Sequence, residues 1–115
     1  MESVAYHFGM DRASDIWTEH GEGLVAFCTR WGISEFAVFG SVLRDDFRPE
    51  SDIDVLVRFS KRHPWSVLDH LAMEAELSAL IGRRVEITSR QALEESHNWI
   101  RRREIFGTAR TLYAA

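Results

Sequence analysis

The chain has 115 residues, 45% of them hydrophobic and 28% charged, with seven glycines, two prolines and a formal net charge of −4. This profile fits one ordinary globular domain spanning 1–115 and lacks the basic footprint of a protein that binds long duplex nucleic acid. The single cysteine, Cys28, excludes an internal disulfide and a cysteine zinc set, and its natural setting is a reducing cytoplasm.

Residues 1–11 carry no clear period and no basic start followed by an apolar core, and no run approaches 18 apolar residues. Neither a secretion signal nor a membrane span is expected, and this stretch reads as a loosely packed arm. From Arg12 to Trp31, Ile16, Leu24, Phe27, Cys28 and Trp31 recur at helical spacing, with Ser14 as a candidate cap. Gly21 and Gly23 weaken the middle of this helix and admit a break near His20, and Gly32 ends it. Glu35 to Phe39 reads as a strand, Gly40-Ser41 as a turn, and Ser41 as the N-cap of a short helical turn through Val42, Leu43 and Arg44. A polar loop holding Pro49 leads to a second strand, Asp52 to Phe59, and a polar connection, Ser60 to Pro64, follows it.

Trp65 to Ile81 is the most regular helical pattern, opened by a Ser66/Asp69 capping box. Leu68, Leu71, Ala72, Ala75 and Ala79 form its apolar stripe, broadened by Leu77, Leu80 and Ile81, and Gly82 stops it. Arg84 to Thr88 alternates, with Val85 and Ile87 on one face and Glu86 on the other. Gln91 to Ala115 is helical in composition, with Leu93, Ile100, Ile105, Leu112 and Tyr113 as apolar positions and Gly107 as an interruption. No repeat or linker divides the chain.

Chemistry concentrates between Phe36 and Phe59. On a strand, residues two apart share a face, so Asp52 and Asp54 project together while Ile53, Val55 and Val57 enter the core. Paired carboxylates repel unless they are solvated or neutralised, and Mg²⁺ prefers one or two carboxylates completed by substrate phosphates. Gly40-Ser41 offers a place for such a phosphate: glycine allows close backbone approach, and the free N–H groups of the following turn favour anions. Gly-Ser, ten residues, then Asp-x-Asp, set between two apolar runs, resembles the signature of the DNA polymerase β-like nucleotidyltransferase superfamily. The short chain looks like its minimal nucleotidyltransferase branch, commonly the antitoxin partner of a HEPN-domain toxin.

The resemblance implies an α/β (α+β) fold, a small mixed β-sheet flanked by helices. It implies two Mg²⁺ (or Mn²⁺) ions held by a triad of Asp52, Asp54 and Glu86, and an ATP or other nucleoside triphosphate met by Gly40, Ser41 and Arg44. Two positions depart from the family pattern: Asp45 stands where glycine often follows the arginine, and Glu86 where the third carboxylate is often Asp. The implied reaction is transfer of a nucleoside monophosphate to a hydroxyl of a partner protein with release of pyrophosphate, neutralising a HEPN toxin. A partner-binding module of the same fold without catalysis is the alternative, and a small-molecule nucleotidyltransferase is a weaker one, since 115 residues leave little chain for an acceptor domain. The nucleotide, the acceptor and the oligomeric state are left open.

Other signals are blander. No G-x-x-x-x-G-K-[ST] is present, so a P-loop is excluded as the phosphate device. Arg58 to His63 spells the R-x₄-H spacing of HEPN ribonuclease toxins, but on a strand that runs into Pro64 rather than on a helix. His63 and His70 read as solvated, and Trp17, Trp31 and Trp65 as core or rim packing. Arg101, Arg102 and Arg103 read as a solvated helix face or, beside Trp99, a partner-binding patch.

Overall fold

The structure, a computed structural model, describes residues 12–44, 47–48, 50–60 and 65–115. The arm at 1–11, Asp45, Pro49, His63 and most of the Ser60 to Pro64 connection lie outside the described residues. In chain order the elements are helix α1 (Arg12–Trp31), strand β1 (Ile33–Phe39), a 3₁₀ turn (Gly40–Leu43), β2 (Ile53–Phe59), α2 (Val67–Ile81), β3 (Val85–Ser89), α3 (Arg90–Glu94), α4 (Trp99–Thr108) and β4 (Arg110–Ala114). The strands form one sheet in the order β3-β2-β1-β4. β1 is antiparallel to both β2 and β4, whereas β2 and β3 are parallel and joined through α2. This is the mixed sheet flanked by helices that the family resemblance implies.

Strand alternation divides the core in two. Phe36 and Val38 of β1, Val55 and Val57 of β2 and Ile87 of β3 turn to one face, where Ala13, Leu24, Phe27 and Cys28 of α1 and Met73 and Leu77 of α2 cover them. The opposite face carries Ala37, Phe39 and Leu56 and is closed by Leu93 of α3 and Ile105 of α4. No described helix is long and apolar enough to cross a membrane.

Helix α1 runs unbroken past His20. A Cβ on Gly23 would come within 2.6 Å of Leu80, so this glycine lets α1 and α2 pack closely. Trp31 and Arg30 then bind Glu76 of α2, the indole donating to the carboxylate at 3.1 Å. Ser14 lies inside the helix rather than at its cap, and its hydroxyl accepts from Arg110. Helix α2 starts at Val67, two residues later than Trp65, behind the predicted Ser66/Asp69 capping box, and Gly82 ends it in the left-handed conformation.

The predicted stripe of α2 is corrected. Met73 and Leu77 are the buried residues, whereas Leu68 is 76% exposed, Leu71 54%, and Ala72, Ala75 and Ala79 face outward with them. Glu74 and Ser78 explain the rotation: they accept hydrogen bonds from the N–H groups of Ile87 and Val85, and so turn the helix's polar side toward the free edge of β3. The C-terminal region is corrected as well. It contains two helices and then a strand, Gly107 sits within α4 rather than interrupting it, and Arg110–Ala114 pairs with β1.

Candidate active site

The 3₁₀ turn follows β1 at the point where β2 begins. Its N-cap is Phe39, not Ser41; the Ser41 hydroxyl instead lies 3.5 Å from the Asp52 carbonyl, across the mouth of the loop. Gly40 has φ +77, a left-handed conformation that glycine adopts without strain. A Cβ built on Gly40 would lie 2.4 Å from Oδ2 of Asp54. The glycine is required first because the Asp54 carboxylate packs directly against the turn.

Asp54 is paired with Phe39 across the antiparallel ladder and with Glu86 across the parallel one. Register partners on adjacent strands point to the same face, so Asp54 and Glu86 share the face that α4 partly covers. Burial raises the Asp54 pKa above the usual carboxylate value, and the negative charges of Glu86 and then Asp52 raise it further; the cations Arg101 and Arg44 oppose them. Asp52 sits just before β2, with Nε of Arg84 3.8 Å from its carboxylate. Asp54 therefore senses both of the other acids.

All donors in this group are hard oxygens, which suits Mg²⁺ or Mn²⁺ rather than a thiophilic metal. Among the described residues, no three acidic, histidine or cysteine side chains converge closely enough to ligate one ion by themselves. The set fits an ion that takes part of its shell from phosphate or water.

A cleft of about 550 Å³ opens beside this group, lined by Phe39, Gly40, Leu43 and Arg44 on one side and by Arg101, Glu104, Ile105 and Thr108 of α4 on the other. Gly40 and Arg44, singled out from the motif, thus line one cavity. Arg101, read from sequence as part of a solvated face or partner patch, was not expected here, since the α4 crossing that brings one arginine of the run to the cleft depends on tertiary packing.

Residues 22–110 match the nucleotidyltransferase domain family. The protein adenylyltransferase MntA of Thermococcus cleftensis is 37% identical over 65 residues, 56% of this chain and 64% of that protein, so the match spans just under two thirds of that relative's length. A solved structure described provisionally as a minimal nucleotidyltransferase superposes with a TM-score of 0.64 at 30% identity, covering 91% of this chain and 99% of the other. A crystal structure of a toxin–antitoxin with AMP-PNP gives a TM-score of 0.63 at 12% identity over 82% of this chain and 73% of that one, a likeness of fold.

Proposed function

Because the chain belongs to the nucleotidyltransferase domain family, we propose that it transfers a nucleoside monophosphate, AMP from ATP, to a hydroxyl of a partner protein, and that this partner is a HEPN-domain toxin neutralised by the modification. The observation that carries the reading is the Asp54 carboxylate packed against the Gly40 turn, with Glu86 beside it in register and a cleft alongside. The adenylyltransferase name of the Thermococcus relative and the toxin–antitoxin fold neighbour support the choice of nucleotide and partner.

Asp52, Asp54 and Glu86 would hold divalent cations, Mg²⁺ or Mn²⁺, which when bound neutralise triphosphate charge and acidify the acceptor hydroxyl. The Gly40-Ser41 backbone approaches the phosphates without a side chain in the way, and Arg44 supplies a fixed positive charge. Glu86, the more exposed of the register pair, is available to accept the acceptor's proton. The acceptor oxygen bonds to the α-phosphorus, the α–β phosphoanhydride bond breaks, and pyrophosphate leaves.

The test is mass spectrometry of the purified partner after incubation with ATP and Mg²⁺. Wild type is expected to add one nucleoside monophosphate and Glu86→Gln none, while both variants still pull down the partner. No mass gain with any nucleoside triphosphate alongside tight association would replace the enzyme with the non-catalytic binder.

A further inference from the structure

The motif turn is not the only cation source at the cleft. Arg101 lies in the first turn of α4, where the Asn98 side chain accepts a hydrogen bond from its backbone N–H and fixes the start of the helix. Its side chain is exposed and lines the same cleft as Gly40 and Arg44. Among the described residues its guanidinium makes no direct hydrogen bond or ion pair. The two arginines after it are committed elsewhere: Arg102 donates to the Ser96 carbonyl at 2.6 Å, and Arg103 lines an outward surface with Trp99 and Ile100. Only one of the three is offered to the cleft.

The cleft has two walls. Arg101, Ile105 with Glu104, and Thr108 follow one another along about 10 Å of α4 on one side. Gly40, against which the Asp54 carboxylate packs, and Arg44 line the other, so the glycine turn with its carboxylate and both arginines border a single cleft. A triphosphate brought among three carboxylates needs fixed positive charge on its far side, and a planar guanidinium with parallel donors matches phosphate oxygens.

We infer that Arg101 is a phosphate-binding residue, which holds the triphosphate from α4 while the Gly40–Arg44 turn meets it from the sheet. This rests on the nucleotidyltransferase reading above. It deepens that reading by assigning substrate binding to a helix outside the motif.

The alternative role, a counter-charge for Asp54 alone, predicts a different result, and titration calorimetry separates the two. Removing a cation beside the carboxylates leaves Mg²⁺ alone bound as tightly as before or more tightly. Removing a phosphate ligand weakens Mg²⁺·ATP and Mg²⁺·tripolyphosphate by about 10- to 100-fold, the range for a charged hydrogen bond. Arg101→Gln is expected to do both and to leave adenosine affinity unchanged; Arg101→Lys recovers part of the loss, and Arg103→Gln behaves as wild type. Because Arg101 is exposed, melting temperatures should match and exclude misfolding. Equal Mg²⁺·ATP affinity in wild type and Arg101→Gln overturns the inference and leaves the enzyme reading intact, and so does a parallel loss of Mg²⁺ alone. A wild type that binds no Mg²⁺·nucleoside triphosphate sinks both.

Discussion

At the scale of single residues, Gly40 and Asp54 cannot be understood apart. Gly40→Ala places a methyl group where the Asp54 carboxylate lies and puts alanine into a left-handed backbone, a strain of about 1–2 kcal/mol. Chemical denaturation should show at least that loss, and the displaced carboxylate should cut transfer by about 100-fold, as misplacement of a catalytic group by an ångström does. Asp54 should show the reverse trade. Its folded-state pKa is raised, so the native state holds this proton more tightly than the unfolded chain. Stability from this group is therefore present at low pH and declines as pH rises from the unfolded pKa through the folded one. At neutral pH without divalent cation, Asp54→Asn should melt at or above the wild-type temperature. With Mg²⁺ added, wild type should rise and the variant should not; a large drop for the variant in EDTA would contradict the electrostatic account. Cys28 is a second raised group, fully buried in α1, with burial pushing its thiol up to about 12. Native protein should resist iodoacetamide at pH 9 while the unfolded chain reacts. Stability should fall from about pH 9 upward, because only the unfolded thiol ionises there.

At the scale of elements, α2 separates what is buried from what merely looks apolar. Leu77→Ala removes a fully buried side chain and should cost about 2–5 kcal/mol, whereas Leu68→Ala should stay within about 0.5 kcal/mol in urea denaturation. Ser66→Ala should cost about 1 kcal/mol through the lost cap. Equal losses at Leu68 and Leu77 would restore the stripe that periodicity suggested. That stripe misled because the outward face of this helix is built of alanine and leucine, and no pattern rule tells a covered apolar face from an uncovered one. Local signals fared better where one residue type has one physical use. Gly32 and Gly82 stop helices in the left-handed region, Ser66 caps, and β2 alternates around Asp54. Strand β4 went unread because five residues after a helix carry too short an alternation, and only its pairing with β1 makes it a strand. Of the candidate site, the motif could be picked out from its spacing and the α4 wall could not, since Arg101 and Ile105 reach the cleft through packing set far along the chain.

At the scale of the whole molecule, the loop between the glycine turn and the carboxylates is fastened from both sides. Arg12 of α1 donates from Nε to the Val42 carbonyl at 2.9 Å, bonds the Arg44 carbonyl through its terminal nitrogen, and stands 5.0 Å from the centre of the Phe47 ring. Arg83, between α2 and β3, donates to the Arg48 and Ser51 carbonyls at 2.6 and 2.9 Å and lies 4.2 Å from the same ring. Phe47 is thus the platform on which Arg12 of α1 and Arg83 of the α2–β3 connection hold the segment linking Arg44 to Asp52. Each cation–ring contact is worth about 0.5–1 kcal/mol at a partly exposed site, so Phe47→Ala should lower global stability by only about 1–2 kcal/mol. Within the loop, the Arg44 and Arg48 carbonyls accept from the Phe47 and Ser51 N–H groups, and the Arg48 N–H donates to the Ser51 hydroxyl, all short-range ties that leave its placement against the helices to the Phe47 ring. Hydrogen exchange in Phe47→Ala should therefore accelerate at 44–51 while the amides of β1 and β2 stay protected, and Mg²⁺·ATP affinity should fall with Arg44 and Asp52 no longer held in place. Phe47→Tyr, which keeps the ring, should restore both. Exchange that rises evenly across the sheet would mean that Phe47 serves the core alone, and unchanged exchange at 44–51 would mean that the guanidinium bonds hold the loop without it.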